Sequence, residues 1–580
     1  MSLRVAGSIA TSALRTSEVG IAVASSNVAN ADTDGYTRKT ASNVTRSTGT
    51  NISSVDVSAV NSNVDRYLLK TLVAAQSDLG YTDTRNSYLD RMQSAFGSVS
   101  DDDSGGTDIG SMIDALADTL GTLATSPESE SAKAATVQDL SDLAESLRST
   151  SSSIQSLRAQ ADDEIASTVD SINETLNSID SLNDQIVKGK ALGQNVTDLE
   201  DQRNTALKSL ATNIDVTYQV DDSGLMRIST ASGKSLLDSK VHELSYTPAA
   251  SVSAGTAYSA SGSSGFNGIM LNGTDVTGSS LGGTLGALVQ LRDTDLPAQQ
   301  AALDELATTL MDSLNAIQNQ GTSYPAPQSL TGTETVSAGD ALKVTSGTLR
   351  VAVTDGSGTA AEVLDIDLST LSTLQDVVDA INTMGTASAS ISADGKLVIA
   401  ATDASNGIAV GGDDGAFSTA YGMNDLLTGT GASDIKVATR IAGDSSLLAT
   451  GALSSNSGLT AGDTVLTSGE GSVAQALSAA FSTSHDFDAA GGLSARSTTF
   501  AGYAGAIIQG AATLADTASA AYDSQNTYTS SLESTFSSQS GVNVDEETAA
   551  ISTLQSAYEA AAAVMKTLQE MFSTALDMVQ

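Results

Sequence analysis

Both ends of the chain carry apolar residues at alternating three- and four-residue spacing, and nearly the whole of the 580-residue sequence lies between them. At the C-terminal end the stripe is Ile551, Leu554, Tyr558, Ala561, Met565, Leu568, Phe572, Ala575 and Val579. At the N-terminal end it is Leu3, Gly7, Ala10, Leu14, Ser17, Ile21, Ala24 and Val28. This spacing keeps one face of a helix turned toward a partner helix. Small residues on one stripe and large ones on the other predict that the first and last helices pair closely. A chain whose ends pair, and whose last seam closes one residue from the terminus, is expected to be an assembly protein. An internal helical hairpin would give the same stripes, but it needs no such excursion between them.

The length predicts several domains, because single cores stop growing at about 250 to 300 residues. Apolar residues make up 40% of the chain, enough to fill those cores, but aromatics are only 4% and Trp is absent. Slender helical packing and light β-structure suit such a supply. The net charge of −41 repels phosphate backbones and anionic lipid surfaces, which argues against nucleic acid as a partner. The first 50 residues depart from that sign, with Arg4, Arg15, Arg38, Lys39 and Arg46 against Glu18, Asp32 and Asp34. No cysteine occurs, so neither disulfides nor thiolate metal sites are possible. The first 30 residues lack the layout of a cleavable signal peptide, and no apolar run reaches membrane-spanning length. If the chain leaves the cell, a non-cleaving route is expected.

Periodicity predicts a helix from residue 3 to about 30, ended by Asn27, Asn30, Asp32, Asp34 and Gly35, then a polar connector to about residue 62. A second helical stripe runs from Val64 to Phe96, and a long one from Lys133 to Lys188 would reach roughly 80 Å if continuous. Alternation on either side of Asp221–Gly224 predicts a hairpin. Helix returns from Thr284 to about Asn319, until Pro325 and Pro327 end it. Residues 330–468 read as short strands with a helix at Leu374–Ile381, and helix resumes from Val473. Asn543 and Asp545 offer an N-cap for the last helix, with Glu546 and Glu547 in its first turn, where the helix dipole favours acids. The expected fold class is α+β multidomain: terminal coiled-coil helices and a long helical bundle, mainly α, with inserted β-rich domains. The expected division is an inner domain of 1–50 plus 535–580, a helical rod of 51–212, 282–322 and 470–534, and β-rich outer parts of 213–281 and 323–469.

Chemical motifs are sparse. Gly278, Ser280 and Gly282 match a nucleophile elbow before a helix, but only His242 and His485 could act as base and neither sits in a context that argues for it. Gly233, Lys234 and Ser235 end a phosphate loop whose first glycine is replaced by Ile228. Asp101, Asp103, Gly106 and Asp108 begin like a calcium loop, yet Met112 stands where a bidentate acid is required. No catalytic residue, metal site or cofactor is expected.

The run Ser26–Arg38, with Asn27, Asn30, Gly35 and Tyr36, resembles the signature shared by flagellar rod, hook and hook-associated proteins. Ser540 to Glu547, with Gly541, Asn543, Asp545 and Glu546, followed by Gln555, Ala557, Tyr558 and Ala560, resembles the version found in the flagellar hook-associated protein 1 family. Asp198, Leu199, Asp201, Gln202 and Arg203 agree with it, as do Gly282, Gly283, Leu285, Arg292, Asp293, Leu296 and Pro297; Asn204 and Gln318 depart from it. The likeness covers most of the chain, residues 330–415 being the least constrained. It implies a non-enzymatic component of the junction between hook and filament, exported unfolded through the flagellar type III apparatus, with the paired terminal helices lining the axial channel. It implies as partners further copies of the chain, the hook protein, the adjoining second junction protein and an export chaperone at the C-terminal helix, with no nucleic acid and no membrane insertion. On this reading Leu3, Leu14, Ile21 and Val28 meet Ile551, Leu554, Tyr558, Met565, Leu568, Phe572 and Val579 in an assembly seam. A hook protein or flagellin would share the terminal helices, and a secreted adhesin with helical stalks is the reading from a different class.

Overall fold

The computed structural model describes residues 3–47, 53–97, 108–260, 265–279 and 281–578. Helix α1 (Leu3–Ala29) leads into a two-stranded antiparallel hairpin, β1 (Lys39–Ser47) and β2 (Ser53–Ser62). A polar connector was expected here. Its Ser, Thr and Asn content hides the β-branched residues Thr40, Val44, Val55 and Val57, which suit a ribbon half-covered by α1.

The helical body is built from α2 (Arg66–Ala95), α3 (Ile109–Thr125), α4 (Glu130–Ala191) and α5 (Thr197–Asn213). α3 and α5 add to the helices that periodicity predicted. Asp108, considered above as a calcium ligand, instead caps α3 by accepting from the Ser111 N–H at 3.1 Å. Asp101, Asp103 and Gly106 lie outside the described residues. α4 is continuous over 62 residues, about 93 Å at 1.5 Å per residue. Ser129 caps it, Glu130 sits in its first turn and Lys188 and Lys190 in its last, the charge placement that complements the helix dipole.

The hairpin predicted around Asp221 forms from β3 (Val216–Val220) and β4 (Met226–Thr230), with β5 (Ser235–Leu237) as a third strand; β6 (Leu244–Ser245), β7 (Met270–Leu271) and β8 (Thr274–Asp275) follow. α6 (Gly283–Gln290) and α7 (Leu296–Gln318) are joined by a π-helical turn at Leu291–Asp295. Pro297, which has no N–H to continue an α-helical ladder, stands just after it. The turn carries Arg292 into the interior, where its guanidinium donates to Asp162 at 3.0 Å and stands 4.6 Å from the Phe266 ring centroid. That contact fastens the 246–275 segment to α4.

The distal strands are β9 (Ser329–Thr331), β10 (Thr348–Thr354), β11 (Ala360–Asp367), β12 (Ala387–Ile391), β13 (Leu397–Ala401) and β14 (Gly407–Gly411), with α8 (Leu374–Ile381) and α9 (Ala416–Tyr421) packed on them. β15 (Leu427–Thr428), β16 (Lys436–Val437), α10 (Thr439–Gly443), α11 (Ser472–Ser482), β17 (His485–Phe487), β18 (Arg496–Thr498), α12 (Phe500–Ser540) and α13 (Val544–Asp577) return along the body.

The expected grouping of 213–281 with 323–469 needs correction at the level of cores. Val216, Met226, Ile228, Leu237, Leu244 and Ile269 are buried in one core with α4, α5 and α7, because α4 is long enough to back their sheets. Leu349, Val351, Val377, Ile399 and Phe417 form a separate core of their own, and Leu426 to Ala449 returns to the first. Among the described residues no helix is long and apolar enough to cross a membrane.

Candidate assembly site

α1 and α13 pack antiparallel, as Asn27 lies against Glu547 and Gly20 against Leu554. Gly20 leaves the space that Leu554 fills: a Cβ there would stand 3.0 Å from Leu554 Cδ1. Ala10, Ser17, Ala24 and Ala561 are buried, whereas Leu3, Leu14, Ile21, Val28, Ile551, Leu554, Met565 and Leu568 are half-buried. Tyr558 and Phe572, expected inside the seam, are 41% and 45% exposed. For Phe572 the reason is length. Carrying the register forward from Gly20 and Leu554 puts Met571 level with Leu3, so Phe572 lies past the described length of α1. Val579 lies outside the described residues. Small side chains dominate what is enclosed, so the pair buries little apolar area of its own.

Where the pair meets the body, the chain builds a polar knot. Asn27, fully buried, uses its whole amide: Nδ2 donates to the Lys39 carbonyl at 2.9 Å and to Glu547 Oε2 at 3.0 Å, and Oδ1 accepts from the Lys39 N–H and the Tyr36 hydroxyl, both at 3.0 Å. Burial pushes the Tyr36 phenol up, which keeps its proton available for Asn27. Glu547 also accepts from Arg38 Nε at 2.7 Å, and exposed Glu546 stands 3.3 Å from Arg38 Nη1. The Arg38 N–H donates to the Ser540 carbonyl at 2.8 Å and its carbonyl accepts from Asn63, so one residue ties together the end of α12 and the end of the hairpin.

Asp201 of α5 holds this strap to the body. It accepts from the Thr37 N–H at 2.9 Å and the Thr37 hydroxyl at 2.7 Å, and pairs with Lys39 Nζ; both carboxylate and ammonium are buried. Gly35 is required beside it, since its φ is +75° and a Cβ would come within 2.2 Å of Thr205 Oγ1. Asn30 closes the end of α1 by donating to the Ser26 carbonyl at 2.9 Å. Asn543 caps α13, accepting from Asp545 and Glu546 N–H groups at 3.0 and 3.3 Å, while Gly541 avoids a 2.4 Å clash with the Ser537 carbonyl.

The signature residues therefore converge on one joint, but three of its central members were not assigned that place from sequence. Glu547 reads as a dipole-complementing acid and is turned inward instead. Lys39 and Asp201 carry no local signal of pairing, since they meet across 162 residues. The chemical motifs dissolve. Ser280 lies outside the described residues, His485 stacks on Phe500 at 4.1 Å and bonds Ser313 and the Ala480 carbonyl, and His242 is held by Asp238 at 2.9 Å.

Three family models match the chain. Residues 8–37 match the flagella basal body rod protein, 533–578 the C-terminal part of the flagellar basal body rod proteins, and 89–329 the helical domain of flagellar hook-associated protein FlgK. The first two take in Asn27, Tyr36, Thr37 and Glu547 of the joint, and the third takes in Asp201 and α3 to α7 of the body. The chain is thus similar to flagellar hook-associated proteins over its helical body and to flagellar rod proteins at its two ends. Similar proteins include the flagellar hook-associated protein 1 of Bacillus subtilis, 26% identical over 233 residues, 38% of this chain and 45% of the relative. The protein of the same name in Salmonella typhimurium is 26% identical over 324 residues, 54% of this chain and 56% of the relative. The chain thus spans about half the length of these relatives. A solved flagellar hook junction protein from Burkholderia pseudomallei is similar at 18% identity, over 80% of this chain and 99% of that one, with a TM-score of 0.46.

Proposed function

We infer that this chain is a structural, non-enzymatic component of the bacterial flagellum that forms the hook–filament junction by polymerising through its paired terminal helices. The observation that carries this reading is the joint: a helix pair too poor in buried apolar area to be a domain by itself is fastened to a rigid helical body by Asn27, Arg38, Lys39, Asp201 and Glu547. Neighbouring subunits supply the burial that the pair lacks. Residues 1–50 with 535–580 form the inner domain, the helical body surrounds it, and the strands of 329–411 face outward. The partners are further copies of the chain, the hook protein, the second junction protein and an export chaperone on α13. The chain acts outside the cell, as part of the flagellum.

The test is electron microscopy of cells lacking the gene, together with an assay of flagellin in the medium. Hooks without filaments, with flagellin lost to the medium, support the junction role. Normal filaments refute it, and missing hooks point to the hook protein.

A further inference from the structure

The helix pair turns outward two faces of opposite net charge. With Ala10, Ser17 and Ala24 taken as the side of α1 that meets α13, the ~100° step per residue places Arg4 and Arg15 on the far side. The same construction from Leu554 places Glu559 and Glu570 on the far side of α13, together with Lys566, which is level with Ser8 of α1. All five charges are exposed, and among the described residues none forms an ion pair.

The spacing of the arginines and of the glutamates is matched. The antiparallel register set by Asn27 with Glu547 and Gly20 with Leu554, carried along the helices, puts Arg15 level with Glu559 and Arg4 level with Glu570. Each like-charged pair is 11 residues apart (15 − 4 and 570 − 559), which is about 16 Å of helix. Within one chain the charges cannot meet, because both helices stand between them. A second helix pair laid beside the first in the same sense brings both together at once.

The surface flanking the arginines also suits a helix partner. On α1 the small, exposed Ala22 and Ala29 lie on the same side as Arg15, so a neighbouring helix can approach closely there.

We propose that α1 of one copy packs antiparallel on the outer face of α13 of a second copy, with Arg15 opposite Glu559 and Arg4 opposite Glu570. This rests on the polymerisation reading above and gives it a register. Exposed ion pairs add little affinity, but juxtaposed like charges are costly, so the charges select partner and alignment more than strength.

The test is complementation of cells lacking the gene. The wild-type chain restores filaments; R4E/R15E loses them, although the purified variant melts as wild type does; and R4E/R15E/E559R/E570R regains them. Failure of the wild-type chain to restore filaments overturns the polymerisation reading and this inference with it. Restoration by wild type and R4E/R15E alike overturns the inference alone, as does a fourfold variant that stays without filaments. A second readout uses the absence of cysteine. Flagella sheared from cells carrying R15C/E559C give a ladder of linked chains on oxidation, and monomer alone overturns the proposed contact.

Discussion

Asn27 and Glu547 lie 520 residues apart in the chain and meet through a 3.0 Å hydrogen bond, with 0% and 3% of their surfaces exposed. This contact closes the chain on itself and sets the register of the terminal helices. Glu547→Ala leaves the Asn27 amide with a buried, unpaired donor and Arg38 without its closest acceptor. The expected cost is about 1–3 kcal/mol, confined to the joint. Limited proteolysis should then cut near residues 36–40 and 540–545 while the melting temperature of the helical body holds. A variant whose joint resists protease as the wild type does would refute this role.

The terminal helices should exchange faster than the body. α4 buries residues along its whole length, whereas α1 and α13 enclose mainly Ala10, Ser17, Ala24 and Ala561. Hydrogen exchange of the monomer should show residues 3–29 and 544–577 far less protected than 130–191, with protection gained on assembly. Equal protection in a verified monomer contradicts it.

Leu568 and Phe572 separate folding from assembly. Leu568 is half-buried, while Phe572 is 45% exposed. Phe572→Asp should leave the monomer's exchange unchanged, Leu568→Asp should loosen α13, and both should abolish filaments, because assembly would bury an unpaired carboxylate. Filaments in the Phe572→Asp strain would show that this end of α13 meets no neighbour.

Asp304 gives a pH signature. Burial raises its carboxyl, opposed by hydrogen bonds from the Ala432 N–H and Gln300 that favour the charged form. In the unfolded chain it titrates near about 3.9. The folded state therefore holds this proton more tightly, so its contribution falls as pH rises from the unfolded toward the raised folded value. Asp304→Asn mimics the protonated group. Urea midpoints measured across that range should fall with pH less in the variant than in the wild type; parallel curves would rule it out.

The elements that local pattern determines were legible. The three–four spacing through Ile551, Leu554, Ala561, Met565 and Leu568 marks α13, Asn543 marks its start, and alternation about Asp221–Gly224 marks the β3–β4 hairpin. The β1–β2 ribbon was not legible, because its strands are mostly polar and gain cover only from distant segments, as where Val55 lies against Thr16 of α1 and Lys39 against Asp201 of α5. Nor was the division of the strands between cores: 216–230 alternates much as 397–401 does, yet one backs onto α4 and the other onto α8 and its own sheets.

The site divides in the same way. The run Ser26–Arg38 and the run Ser540–Glu547 could be picked out as belonging to one kind of protein, and the apolar stripes as belonging to helices that pair. Periodicity is a property of neighbours in sequence, so the sequence by itself determined that the striped segments of α1, α2, α4, α12 and α13 are helical. Tertiary structure alone decided that Glu547 turns inward while Glu546 stays in water, and that Lys39 pairs with Asp201 of α5. A buried charge is tolerated only where a partner waits to receive it, and these partners come from segments far away along the chain.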